Sequence, residues 1–123
     1  MNIAIFSDAF PPQINGVVSH VIDTSTELSR LGHDVTIFAP KPRRGVKLDL
    51  EKYHFRTVLI PSIPTFLYPD WRITMPYLPR LFRLLKKYSI DMIHIHDPFT
   101  IGTEGLIAGR IFKIPTIITF HTF

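Results

Sequence analysis

The sequence predicts an α/β protein built on a doubly wound parallel sheet. Short apolar runs alternate with amphipathic stretches of helical period, the order expected of strands joined by crossover helices. The later strands lack the strict apolar–polar alternation of a half-exposed sheet, as when both faces are covered. Glycine and proline punctuate the joins between these segments.

The first strand covers Ile3 to Phe6 and runs into a loop holding Asp8, Pro11, Pro12 and Asn15-Gly16. A helix follows from Gly16 to near Leu31. Val17, Val18, Val21, Ile22, Leu28 and Leu31 recur at helical spacing and predict one buried stripe. Asn15 suits the N-cap and Gly32 the residue after the C-cap. Asp34–Ala39 forms a second strand, stopped by Pro40, and Lys41 to Lys52 reads as a loop with a turn at Gly45. Phe55–Ile60 is the third strand, ended by Pro61. Ser62 to Pro76 carries Pro64, Pro69 and Pro76, which predicts irregular structure, yet Phe66, Tyr68 and Trp71 make it too aromatic for a passive linker.

Tyr77–Tyr88 is a second helix with Pro79 in its first turn. Asp91–His96 is the fourth strand, Thr100–Phe112 a third helix, and Thr116–Phe120, after Ile114-Pro115, the fifth strand. The order β-α-β-β-α-β-α-β predicts a single Rossmann-like domain over residues 1–123 with strand order 3-2-1-4-5. The last strand has no following helix. That predicts a domain cut short, with an open sheet edge able to pair with another chain as a dimer or by domain swapping.

The 123 residues suffice for one core, and 46% hydrophobic with 20% charged residues excludes disorder. There are no cysteines, so disulfides, thiolate metal sites and cysteine nucleophiles are excluded. This fits a reducing, cytoplasmic setting. No basic, apolar leader precedes the first strand, and no run reaches the ~18 apolar residues of a membrane span. The net charge of +4 is unevenly placed. Lys41, Arg43, Arg44, Lys47, Lys52 and Arg56 form one cluster, and Arg80, Arg83, Lys86 and Lys87 a second. Both admit phosphate-bearing partners.

Gly16 stands where the first helix begins, and its missing side chain lets an anion approach the backbone N–H groups. A turn and cap alone also explains Asn15-Gly16. The loop is not G-x-G-x-x-G, so dinucleotide binding has no support. His94 and His96 share one face of a strand, but two histidines with Asp97 supply too few ligands for a metal. One of them is expected to pack beneath the site. Asp97-Pro98 is expected to form a turn, with Asp97 able to cap the third helix. Gly102, Gly105 and Gly109 are assigned to close helix–sheet packing. In the second helix, Leu78, Leu81, Phe82, Leu85 and Tyr88 fall on one arc and the four basic residues on the other. A solvated face accounts for that arrangement, and so does contact with an anionic membrane, together with Trp71. No nucleic-acid-binding motif is recognisable.

Four segments in order, "SDAFPPQINGVVSHV", "LSRLGHDVTIFAP", "IHIHDPFTIG" and "IPTIITFHTF", resemble the N-terminal domain of GT-B enzymes of glycosyltransferase family 4. The opening segment is most similar to members that glycosylate diacylglycerol or related lipids. The resemblance implies a two-domain hexosyltransferase that moves a sugar from a nucleotide diphosphate to a lipid or glycan acceptor with retention, needing no metal or other cofactor. The N-terminal domain mainly holds the acceptor, and the nucleotide-sugar-binding C-terminal domain is not part of this sequence. The fragment alone is therefore expected to be inactive. Carried over by position, His121 lies at the reaction centre, Gly16 and Val17 meet the donor diphosphate, and Asp8, Phe10, Gln13 and Asp97 contact the acceptor. With a lipid acceptor, Trp71, Arg80, Arg83, Lys86 and Lys87 are expected to face a membrane, the protein being cytoplasmic or held peripherally on the membrane's inner side. A non-catalytic, self-associating binding module is the alternative reading.

Overall fold

Side chains in β1 (Asn2–Ser7) alternate between two faces of a sheet and so divide the core in two. Ala4 and Phe6 point to one side, and Ile3 and Ile5 to the other. The computed structural model describes residues 1–65 and 72–121. β2 (Asp34–Pro40), β3 (Arg56–Ile60), β6 (Met92–His96) and β7 (Thr116–Thr119) join β1 in a five-stranded sheet ordered β3-β2-β1-β6-β7, every pair parallel. This is the predicted 3-2-1-4-5 order, because β4 (Ser62–Pro64) and β5 (Arg72–Thr74) form a separate antiparallel pair.

α1 (Gly16–Arg30) covers the Ile3 and Ile5 face, where Val21 and Phe10 join Val35, Ile37 and Phe55. α2 (Leu78–Lys87) and α3 (Ile101–Phe112) cover the other, packing Leu81, Leu85 and Ala108 on Phe6, Phe38, Ile93 and Ile95. α3 lies close because three of its residues have no side chain. A Cβ on Gly105 would meet the Phe6 ring at 2.8 Å, one on Gly102 the Asp97 carbonyl at 2.8 Å, and one on Gly109 the Thr116 hydroxyl at 2.5 Å.

Two expectations need correction. Ser62 to Pro76 is not wholly irregular: Ser62 pairs with Thr74 and Pro64 with Arg72. Proline is tolerated because both strands of a two-stranded ribbon are edges. Arg72 ties the pair together, its Nε donating to Ser62 Oγ at 2.6 Å and its NH2 group to the Ser62 carbonyl at 2.9 Å. Leu31 leaves the apolar stripe of α1. It occupies the C-cap, 73% exposed, with Gly32 beyond it at φ +94°. Asn15 does cap α1, its side-chain oxygen accepting from Val18 N–H at 3.0 Å. No helix among the described residues is long and apolar enough to cross a membrane.

Candidate functional site

Strand order reverses between β1 and β6, and such a switch point opens a crevice at the carboxyl ends of the strands. A cavity of about 300 Å³ occupies it, lined by Asp8, Gln13, Asn15, Gly16, Val17, His96, Asp97, Phe99 and His121, among others. The loop after β1 turns sharply there. Ser7 Oγ donates to the Ala9 carbonyl at 2.7 Å and accepts from Ala9 N–H at 3.1 Å.

Asn15 takes Val18 N–H on its side chain and Ser19 N–H on its carbonyl. Gly16 and Val17 line the cavity, and their amides, at the open start of α1, have no hydrogen-bond partner among the described residues. No acidic residue in the first turn of α1 offsets the positive end of the helix. A Cβ on Gly16 would meet nothing within 4 Å, so packing does not demand glycine there. The fold leaves that space to the cavity.

Asp8 is buried under the start of α3. Thr100 donates its hydroxyl to Asp8 Oδ1 at 2.9 Å and accepts from the Thr74 hydroxyl at 2.8 Å and the Thr74 N–H at 3.1 Å. The β4–β5 pair thus buttresses the site. Burial pushes the Asp8 carboxyl up to about 6. The Thr100 hydroxyl and the Thr100 and Ile101 amides oppose that rise, while the nearby Asp97 charge adds to it. Neither amide closes a hydrogen bond on Oδ2, which is buried without a partner among the described residues.

Four histidine rings gather beside the two carboxylates. His96, 1% exposed, points Nδ1 at His121 Nε2 at 2.9 Å. His94 packs on His96 with ring centres 4.2 Å apart and reaches Thr119 Oγ1 at 2.8 Å. His20, one turn into α1, sets its ring edge-on to His96 and His121 at 5.7 and 5.5 Å. Burial foremost, then the neighbouring histidines, lowers His96 to about 3 and shifts His94 downward as well, so both rings are neutral at pH 7. Asp97 adopts φ +57°, which asparagine and aspartate tolerate, and its Oδ1 accepts the His121 N–H at 2.8 Å. The N-cap position of α3 is held by Thr100. Asp97 anchors His121, and it is Asp8 that lies against the helix start.

Asp8, Gln13, Gly16, Val17, Asp97 and His121, all singled out from sequence, line one cavity. Phe10 does not. It is 2% exposed and packed in the α1-side core near Tyr53, because the loop needs an apolar anchor where it leaves the sheet. Arg80, Arg83, Lys86 and Lys87 are exposed on the outer face of α2, with no ion pair among the described residues. Trp71, with Phe66 and Tyr68, lies outside the described residues. Sequence reasoning missed His20, Thr74 and Thr100. His20 had a signal, standing four residues after Gly16 and so above it on the same helix face. The two threonines had none, since their role depends on the β4–β5 pair.

The profile of Glycosyltransferase Family 4 matches residues 14–123. Among curated relatives, alpha-monoglucosyldiacylglycerol synthase of Streptococcus pneumoniae is 33% identical over 99% of this chain and 27% of its own length. The enzyme of the same name from Acholeplasma laidlawii is 33% identical over 99% of this chain and 30% of its own. A GDP-mannose-dependent alpha-mannosyltransferase of Corynebacterium glutamicum is 31% identical over 99% and 29%. The chain therefore spans under a third of these relatives' length. In fold alone it is similar to the C-terminal domain of a hydrogenase from Pyrococcus furiosus, with a TM-score of 0.56 and 19% identity over 94% of this chain and 87% of that one. By the profile match and these relatives, the chain belongs to glycosyltransferase family 4.

Proposed function

We propose that this chain is the acceptor-side domain of a retaining glycosyltransferase that moves a sugar from a nucleotide-diphosphate donor to a lipid or glycan acceptor. One observation carries the reading: the Gly16 and Val17 amides, Asp8, Asp97 and His121 line a single cavity at the switch point of the sheet. In transfer with retention, the acceptor oxygen bonds to the anomeric carbon on the face from which the diphosphate leaves. The sugar–phosphate C–O bond breaks, and the acceptor proton passes to the departing phosphate oxygen. Negative charge grows on that diphosphate, and the two amides at the positive end of α1 are preorganised to stabilise it. His121, fixed by Asp97 through its backbone and by His96 through its ring, presents an imidazole to the sugar. Asp8 and Gln13 offer acceptors for hydroxyl groups on the other substrate.

The relatives whose names specify a diacylglycerol product favour a lipid acceptor. The exposed basic face of α2 is suited to draw such an enzyme to the anionic inner face of a membrane. No metal is required, since the helix end supplies the positive charge. The nucleotide is bound chiefly by a second domain. The test joins this chain to a nucleotide-sugar-binding domain of the family and assays transfer from UDP-glucose or GDP-mannose to diacylglycerol vesicles or free sugars, with the anomer assigned by NMR. An α-linked product is expected. Absence of transfer to every acceptor, or a β-linked product, overturns the reading.

A self-associating binding module is favoured by one separate feature. Ile107 and Ile111 of α3, Ile117 of β7 and Phe120 just beyond it are exposed, and β7 is an edge of the sheet among the described residues. Sedimentation and ligand titration of the chain decide it: a dimer without nucleotide binding supports the module, and a monomer removes it.

A further inference from the structure

Three imidazoles meet beside the cavity from three separate elements: His96 from the end of β6 and His121 from beyond β7, which line it, and His20 from α1, exposed at its edge. One ring nitrogen from each lies within 4.8 Å of the other two. We propose that His20, His96 and His121 form a binding site for a single transition-metal dication of the zinc type, and that the bound ion holds the enzyme inactive.

The donor chemistry fits. Neutral imidazoles suit Zn²⁺, Co²⁺ and Ni²⁺, and a tetrahedral ion with three histidine ligands keeps one position open. His96 and His121 line the same cavity as Asp8 and Asp97, whose carboxylates would offset a dication's charge. The geometry needs little change. Ligand nitrogens about 2.05 Å from a tetrahedral metal lie about 3.3 Å from one another. His96 Nδ1 and His121 Nε2, now 2.9 Å apart around one shared proton, must open slightly as the ion replaces that proton. His20 is exposed and free to swing inward. Its ring already stands edge-on to both partners.

The inhibitory consequence rests on the transfer reading, because the ion captures the histidine assigned to the sugar. Metal binding itself does not rest on that reading and is decided without substrate. The 123-residue chain is titrated with Co²⁺, followed by the visible absorption of the tetrahedral ion, and Zn²⁺ is then added to displace it. One equivalent is expected, with affinity falling at least tenfold in His20→Ala and in His121→Ala. His33→Ala and His54→Ala, both distant from the cavity, serve as controls and are expected to bind normally. His20 is exposed, so its variant stays folded, and circular dichroism checks this. Absence of a tetrahedral spectrum, binding that survives His20→Ala, or loss of binding in a control variant overturns the site. With binding established, added Zn²⁺ is expected to suppress transfer in the wild-type two-domain protein. Undiminished transfer at saturating Zn²⁺ overturns the inhibitory half while leaving the transfer reading intact.

Discussion

Thr100 donates its hydroxyl to Asp8 at 2.9 Å across 92 positions of sequence, tying the loop after β1 to the start of α3. That bond opposes the burial that raises the Asp8 carboxyl from 3.8 to about 6 without cancelling it. Because the folded state holds the Asp8 proton more tightly than the unfolded chain, the Asp8 contribution to stability declines as pH rises from about 4 to 6 and stays reduced above. The full loss is on the order of 3 kcal/mol. Asp8→Asn keeps an oxygen for Thr100 and cannot ionise. Its stability relative to wild type is therefore expected to climb between pH 4 and 6 and then level off. His96, lowered to about 3, acts in the opposite sense, its contribution being lost as pH falls below 6.5, so the readout is the difference between the two proteins. Urea melts across this range check it, and a flat difference contradicts the assignment.

Gly105 and Gly109 face different neighbours, and their alanine variants are expected to differ accordingly. A methyl group on Gly105 enters the ring of Phe6, itself fully buried and stacked on Phe38 at 4.8 Å. Neither ring has room to yield, so Gly105→Ala is expected to cost about 2–3 kcal/mol. At Gly109 the obstacle is the Thr116 hydroxyl, a side chain on the edge strand that can rotate aside at the expense of its bond to the Ile114 carbonyl. Gly109→Ala is expected to cost about 1 kcal/mol. Thermal melts rank the two, and equal losses contradict the packing account.

The sheet was legible because its strands are short apolar runs bounded by glycine or proline, and Asn15 and Gly32 marked both ends of α1. The cavity residues were legible because they stand at strand ends or helix starts, where chain position fixes spatial position. Phe10 was misplaced, since loop residues beyond a strand point either way and apolar character alone does not say which. Pro64 argued against a strand when no sequence signal identified Arg72 as the clamp that makes the pairing hold. The histidine cluster was half visible: His94 and His96 share a strand face by period, but the approach of His20 is a tertiary event.

The basic face of α2 gives a prediction independent of the cavity. Arg80, Arg83, Lys86 and Lys87 are exposed and make no ion pair among the described residues. Arg80, Lys86 and Lys87 lie over the Tyr77, Phe112 and Tyr88 rings, so replacing all four by glutamine is expected to lower the melting temperature only slightly. If they meet an anionic surface, each contributes about 1 kcal/mol, and the quadruple variant loses roughly 1000-fold in affinity. Co-sedimentation with vesicles containing phosphatidylglycerol measures this, with phosphatidylcholine vesicles as the uncharged comparison. Equal binding by both proteins removes α2 from the membrane-facing surface.

Gly16 separates the needs of the fold from those of the site. A side chain there meets nothing within 4 Å, and its φ lies outside the left-handed region. Gly16→Ala is therefore expected to keep or slightly raise stability, by up to about 1 kcal/mol, through the lower entropy of the unfolded chain. Gly16→Val adds bulk in the same open space. If a diphosphate approaches the Gly16 and Val17 amides, that bulk holds it away from both donors. Removing hydrogen bonds that form on the departing charge is worth about 3 kcal/mol, or two orders of magnitude in rate. In the two-domain enzyme, kcat/KM for the nucleotide sugar is expected to fall in steps from glycine to alanine to valine, while the melting temperature holds. Full turnover by Gly16→Val means the leaving group departs elsewhere in the cavity, and the positive end of α1 then serves only to begin a helix.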